Sequence, residues 1–126
     1  MSIVNAPDLT FELPMPPSSN NLFATVTIKG KQRRIISRDY KAWRENAGGI
    51  LAQQYAAYDR PAVGRHASIR IRLNLNHQSD IGNREKAITD LLVAHLDMPD
   101  DCWIDRIVIE RDRTVEAAVV TIGEGT

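Results

Sequence analysis

Apolar and polar positions alternate most clearly between His66 and Leu75. Every second residue from Ala67 to Leu75 is apolar, and the residues between them are Ser, Arg, Arg and Asn. A period of two is typical of a β-strand with one buried face. The segment therefore predicts a strand that contributes one face to the core.

Two other segments have the longer period of helices. From about Asn83 to Leu96, Ile88, Leu91, Leu92 and His95 follow the spacing i, i+3, i+4, i+7. A longer helix is predicted to begin after Ser37, a favourable N-cap, and to run to about Tyr58. The Gly48-Gly49 pair weakens that second prediction, because glycine is unfavourable inside a helix.

The remaining elements are short strands and turns. Residues Thr10 to Leu13 read as a strand that ends at the loop sequence PMPPSSNN, and Ala24 to Ile36 read as a hairpin that turns at Lys29-Gly30-Lys31. Strands from Trp103 to Glu110 and from Thr114 to Ile122 close the chain. The order β-ββ-α-β-α-ββ predicts an α+β fold, with two main helices packed on a mixed or antiparallel sheet.

The 126 residues suit a single domain, 1–126, whose ends, 1–8 and 123–126, we expect to be flexible. Hydrophobic content of 43% and charged content of 25% are ordinary for a folded protein. No apolar run is long enough for a membrane span, and no signal-peptide pattern opens the sequence, so we expect a soluble, cytoplasmic protein without a membrane partner. The single cysteine, Cys102, has no Cys or His at zinc-ligand spacing.

Charge is balanced over the whole chain but divided along it. Seven basic residues and one acid lie between Lys29 and Arg44, whereas nine acids and four bases lie between Asp80 and Asp112. A basic surface that holds a phosphate backbone, together with an acidic surface that holds a cation, has this distribution. Two solvated faces are the alternative.

Two acidic motifs flank the second predicted helix, DIGNREK from Asp80 to Lys86 and PDDCWID from Pro99 to Asp105. Carboxylates converging with a lysine suit a Mg²⁺ site that acts on phosphate, where the lysine stabilises charge in the transition state. Structural alternatives exist for each residue. Asp80 or Asn83 could be an N-cap, Asp100-Asp101 could form a turn, and Lys86 could pair with Asp90.

Four features in order carry a family resemblance: the PPSSNN opening, the D-I-G-N-x-x-K motif after a strand, a helix containing TDLL, and an Asp-Asp doublet before the next strand. From about Phe11 to Val120 the chain resembles the RusA family of phage-derived Holliday-junction resolvases. The family pattern D-[LI]-D-N-x-x-K matches Asp80, Asn83 and Lys86. Gly82 stands where the family has a second metal-binding aspartate, and Asn76 to Ser79 replace an arginine-rich loop.

The resemblance implies a homodimeric, Mg²⁺-dependent endonuclease, with Mn²⁺ as a possible substitute, that cuts four-way DNA junctions in recombination and repair. It implies catalytic roles for Asp80, Asp101 and Lys86, with Asp80, Asp101 and Asp100 as metal ligands. The expected DNA-binding residues are basic or polar: Lys29, Lys31, Arg33, Arg34, Arg38 and Asn83. A dimer that binds junctions but has lost cleavage through Gly82 is the alternative function.

The length of the second predicted helix constrains the site independently of the family. About 14 helical residues span roughly 21 Å, so Asp80 and Asp101 at its two ends are poorly placed to share one ion within a chain. Either the helix is broken, or a twofold axis brings Asp80 of one chain beside Asp101 of another.

Overall fold

A computed structural model of the chain describes residues 8–18, 22–63, 66–76, 81–98 and 103–124. These residues form six strands and two α-helices. In chain order they are β1 (Leu9–Leu13), β2 (Phe23–Ile28), β3 (Lys31–Ile36), α1 (Arg38–Ala57), β4 (Ala67–Leu73), a 3₁₀ turn (Ile81–Arg84), α2 (Glu85–His95), β5 (Ile104–Arg111) and β6 (Ala118–Glu124). The predicted α+β fold and its element order are confirmed.

The main sheet has four strands in the order β1-β6-β4-β5. β6 pairs antiparallel with both β1 and β4, whereas β5 runs parallel to β4. The sheet is therefore mixed, and β4, the 3₁₀ turn, α2 and β5 form a β-α-β crossover. In the parallel register Ala67 lies beside Ile104 and Leu73 beside Arg111. The N-terminal ends of β4 and β5 are therefore at the same end of the sheet, and their C-terminal ends are at the opposite end.

The core lies between the helices and one face of this sheet. Alternate β4 residues from Ala67 to Leu73 are fully buried, as the period of two predicts. Ile88, Leu91 and Leu92 of α2 are also buried, whereas His95, the fourth member of that pattern, is exposed.

The last strand begins later than its sequence predicts, at Ala118 instead of Thr114. Thr114 donates hydrogen bonds from its backbone N–H and its hydroxyl to Oδ1 of Asp112, at 2.9 Å and 2.5 Å. This local turn competes with extension of the strand. The same bonds stabilise the carboxylate and lower the pKa of Asp112. At its other end β6 continues past Ile122 to Glu124.

The first long helix forms as predicted, because Ser37 accepts a hydrogen bond from Tyr40 N–H at 3.1 Å and caps the first turn. The helix continues through the glycine pair. Gly48 is buried beneath His95, and a Cβ at Gly48 would lie 2.6 Å from His95 Nε2. Gly48 therefore permits close contact between α1 and α2.

The hairpin forms a second sheet of its own, made of β2 and β3. Lys29 and Gly30 occupy its two-residue turn with φ of 52° and 77°, and positive φ at both positions is typical of a type I′ hairpin. A hydrogen bond from Ser37 N–H to Leu22 O, 2.9 Å long, closes the base of the hairpin. No helix in the described ranges is long and apolar enough to span a membrane.

Candidate active site and nucleic-acid interface

The DIGNREK segment enters α2 through the 3₁₀ turn. Arg84 is the N-cap of α2 and makes no side-chain capping bond, so the alternative that Asn83 caps α2 is not realised. Asn83 and Glu85 are partly buried, and Gly82 is exposed. Glu85 Oε1 accepts a 2.6 Å hydrogen bond from the Thr89 hydroxyl, one turn along the helix. The Glu85 carboxylate is therefore engaged within α2.

Lys86 is the second residue of α2, and its side chain is 59% exposed. Its Nζ lies 3.3 Å from Asp90 Oδ2, so the i, i+4 pair anticipated from the spacing is present. The pair adjoins Tyr40 on α1. Burial, followed by the charge of Asp90, raises the pKa of Tyr40 above its ordinary value, and Lys86 and Arg44 oppose the shift. The two helices thus place Tyr40, Arg44 and Lys86 in one neighbourhood.

The proline-rich loop is attached to the second turn of α1 and to the N-cap of α2. Trp43 Nε1 donates to Pro14 O at 3.0 Å, and Arg84 Nη1 donates to Pro16 O at 2.5 Å. Arg84 Nε is buried and has no hydrogen-bond partner among the described residues. The sequence analysis did not identify Arg84 as the residue that ties the proline-rich loop to this turn. A cation at the start of a helix, where the macrodipole disfavours it, was the available signal that a specific acceptor holds it.

The predicted acidic residues Asp80, Asp100 and Asp101 lie outside the described residues. Their described neighbours are Ile81, the first residue of the 3₁₀ turn, and Trp103, which precedes β5. The remaining acid in PDDCWID, Asp105, lies on β5, where its Oδ2 is 2.6 Å from His66 Nδ1. Across the described ranges, no group of three or more His, Cys, Asp or Glu side chains could hold a metal ion.

The hairpin carries most of the predicted DNA-binding residues. Lys29, Lys31, Arg33 and Arg34 are all exposed on it, and Arg38 is exposed at the first position of α1. No acidic residue occurs from position 22 to position 36. All charged side chains of the hairpin are thus cationic, in a chain whose net charge is zero.

Aromatic rings connect the hairpin to α1. The guanidinium of Arg34 lies 4.1 Å from the centre of the Phe23 ring, and Phe23 meets Tyr40 edge-on with ring centres 6.4 Å apart. Arg44 lies 5.5 Å from the centre of the Tyr40 ring. Cation–π contacts hold an arginine while leaving its N–H groups able to bind phosphate. The cationic surface therefore continues from the hairpin onto α1, toward Lys86.

A family model described as endodeoxyribonuclease RusA matches residues 14–123, which is most of the chain. The match includes the proline-rich loop, both acidic motifs and the hairpin. A search of curated proteins found no match.

Proposed function

Since the chain belongs to the RusA endodeoxyribonuclease family, we propose that it is a Mg²⁺-dependent enzyme that resolves four-way DNA junctions by paired phosphodiester hydrolysis. The family match over residues 14–123 is the observation that carries this proposal. The arrangement of the basic hairpin and of Lys86 supports it. Recombination and repair are the processes in which such junctions arise.

The proposed metal ligands are Asp80, Asp101 and Asp100. A donor set made of carboxylates fits Mg²⁺, with Mn²⁺ as a substitute, because both ions prefer hard oxygen ligands. When bound, such an ion polarises the phosphate and lowers the pKa of a coordinated water.

Lys86 is the proposed group that stabilises negative charge on the phosphate during cleavage. Its ion pair with Asp90 is exposed, with 59% and 46% of the two side chains accessible, so the pair is weak and a phosphate can compete for the lysine. Arg84 acts as a positioning residue, because its bond to Pro16 O fixes the loop against the turn that leads to Lys86.

A homodimer is supported by a difference between the two edge strands of the main sheet, β1 and β5. At β1, Gln54 of α1 exchanges two hydrogen bonds with the backbone of Glu12, at 2.8 Å and 2.7 Å, and the Tyr58 hydroxyl bonds the backbone of Thr10. Helix α1 thus covers this edge. β5 is the last strand at the opposite side, and its Ile107 is 37% exposed. Antiparallel pairing of two β5 strands about a twofold axis would extend the sheet and cover Ile107.

The crossover topology supports a site shared between two chains. Because β4 and β5 are parallel, the chain leaves the C-terminal end of β4 and must cross to the opposite end of the sheet before it enters β5. The 11 residues of α2 alone span about 16 Å. Helix α2 is continuous between the two acidic motifs, which favours the twofold arrangement over the broken helix.

DNA binding is assigned to the cationic surface made by Lys29, Lys31, Arg33, Arg34 and Arg38, with Asn83 beside the site. Phosphate contacts from lysine and arginine supply affinity without reading sequence, as expected for an enzyme that selects a branched shape. The second candidate function is a dimer that binds junctions without cutting them. Gly82, in the place of a family aspartate, is the observation that favours it.

A gel assay with labelled four-way junction, duplex and single strand, each with and without Mg²⁺, distinguishes these functions. Junction-selective binding without metal and paired cuts with Mg²⁺ are expected of the enzyme. Binding without cuts in either Mg²⁺ or Mn²⁺ would assign the second function. Equal affinity for all three DNAs would contradict both.

A further inference from the structure

The two faces of the β2–β3 hairpin differ in chemistry. Directly opposed residues of an antiparallel pair share a face, and successive pairs alternate between faces. One face carries polar side chains together with Phe23 and Ile36, at the pairs Phe23–Ile36, Thr25–Arg34 and Thr27–Gln32. The contact between Arg34 and Phe23, which are diagonal neighbours on that face, agrees with the assignment.

The opposite face, which we call the apolar hairpin face, is formed by the pairs Ala24–Ile35, Val26–Arg33 and Ile28–Lys31. Ile28 is 47% exposed and Ile35 is 43% exposed, the two highest values among the large apolar residues that the structure describes. A two-stranded hairpin is marginally stable in water unless an apolar face is covered. The apolar hairpin face therefore has the character of a contact surface.

The charges that frame this face indicate its occupant. Lys31 and Arg33 belong to the face itself, and Lys29 lies in the adjoining turn. Two copies packed face to face would bring these like charges together with no acid on either hairpin. A polyanion that also offers apolar surface satisfies both features. The flat faces of unstacked DNA bases, flanked by phosphates, have that combination.

We propose that the apolar hairpin face docks against unstacked bases at the centre of branched DNA, with Ile28 and Ile35 contacting the bases. Lys29, Lys31 and Arg33 then bind the phosphates on either side. This inference rests on the proposed function and deepens it, because it assigns recognition of the branch point to a surface distinct from the acidic site. Duplex DNA has no unstacked base to cover these isoleucines, so the contact favours junctions over duplex.

Two double variants isolate the apolar contribution. Ile28→Thr with Ile35→Thr and Ile28→Val with Ile35→Val have side chains of nearly the same shape, and all are β-branched, so strand propensity is retained. They differ by a hydroxyl in place of a methyl. The probe is a four-way junction with 2-aminopurine at the branch point, or in an arm as a control, in buffer with EDTA to prevent cleavage.

The native protein and the Val variant are expected to raise branch-point fluorescence at least twofold and to leave the arm signal unchanged. The Thr variant is expected to lose this rise and about tenfold of the preference for junction over duplex, while its affinity for duplex stays within about twofold. Sedimentation of the free proteins tests whether the face instead contacts a second copy. A change in oligomeric state specific to the Thr variant would overturn the proposal.

The inference and the proposed function fail in different ways. If the native protein prefers and cuts junctions while the Thr variant keeps both fluorescence and preference, the inference is wrong and the proposed function stands. If the native protein shows no preference for junctions, the proposed function fails and the inference fails with it.

Discussion

Lys86 and Asp90 form an ion pair on the exposed surface of α2, with 3.3 Å between Nζ and Oδ2. The two residues are one helical turn apart, and both side chains are substantially exposed. Exposed pairs of this spacing contribute about 0.3–0.5 kcal/mol to stability. A purely structural role for Lys86 is therefore a minor one, and its proposed role in cleavage can be measured separately.

Replacement of Lys86 by alanine is expected to reduce the cleavage rate at least 100-fold while lowering the free energy of unfolding by about 0.5 kcal/mol or less. Single-turnover cleavage of a junction and urea denaturation measure the two effects. Asp90→Ala is the matched control, because it removes the same ion pair but retains the lysine. Comparable loss of cleavage in both variants would show that cleavage depends on the ion pair and not on the lysine itself.

The cationic hairpin gives a second prediction. Arg33→Ala with Arg34→Ala should weaken junction binding and reduce the slope of log K against log salt by about 0.9 for each phosphate that the variant no longer neutralises. Binding titrations between 50 and 200 mM salt, on the order of physiological ionic strength, measure the slope. The control is Arg60→Ala, because Arg60 is exposed beyond the far end of α1. An unchanged slope in the hairpin variant would make these arginines a solvated face.

Periodicity predicted well which face of each element is buried. It did not predict which strands lie next to one another in the sheet. The alternation in β4 and three of the four spaced positions in α2 identify buried side chains, because burial follows the geometry of each element, whereas His95, the fourth position, is exposed. The parallel pairing of β4 with β5 depends on contacts between distant segments, so no local pattern predicts it. The same holds for the Arg84–Pro16 bond, which joins residues 68 positions apart.

A contact between the two helices accounts for another difference. The glycine pair suggested a weak point in α1, but contact with His95 on another helix explains why Gly48 is there. Spacing alone anticipated the Lys86–Asp90 pair. For the acidic site, the motifs named Asp80, Asp100 and Asp101, and their roles remain predictions. Sequence motifs identify ligands by type and order, whereas their convergence depends on how chains assemble.

Sharing of the site across a dimer predicts complementation. Homodimers of Asp80→Asn and homodimers of Asp101→Asn should each bind junctions without cutting them. In a mixed dimer, one of the two sites would contain both native carboxylates, so single-strand nicks should appear. Differently tagged chains, refolded together and purified as the heterodimer, provide the sample. A verified heterodimer without activity would support a site built within one chain.

The two glycines of α1 predict opposite effects on stability. A Cβ at Gly49 meets no heavy atom within 4 Å, so Gly49→Ala should stabilise the protein by about 0.5–1 kcal/mol through helix propensity. Gly48→Ala places its Cβ against His95 Nε2, so the imidazole must move and the gain should be lost or reversed. Urea denaturation measures both, and His95→Ala should restore the gain in the Gly48 variant. Equal stabilisation by the two single changes would disprove the predicted clash.

The last prediction concerns Gly82, which stands where the resemblance to the family implies a second metal-binding aspartate. Gly82 is exposed within the 3₁₀ turn Ile81–Arg84, whose right-handed conformation any L-residue can adopt. Gly30 has the positive φ that favours glycine, and Gly82 does not share it. A substitution at Gly82 should therefore fold, and a carboxylate near the start of α2 is electrostatically favourable.

Two other carboxylates of the acidic motifs already have partners: Glu85 accepts from Thr89, and Asp105 lies on β5 against His66. Asp100 or a water then remains as the replacement oxygen in the native chain. If the native site lacks a ligand, Gly82→Asp should increase Mg²⁺-dependent cleavage at least tenfold, about 1.4 kcal/mol of transition-state stabilisation. Gly82→Asn is the matched control, because it has nearly the same shape without the charge. Equal rates for the native, Asp and Asn proteins would show that glycine belongs to a complete site, whereas an increase confined to the Asp variant would locate the missing ligand at position 82.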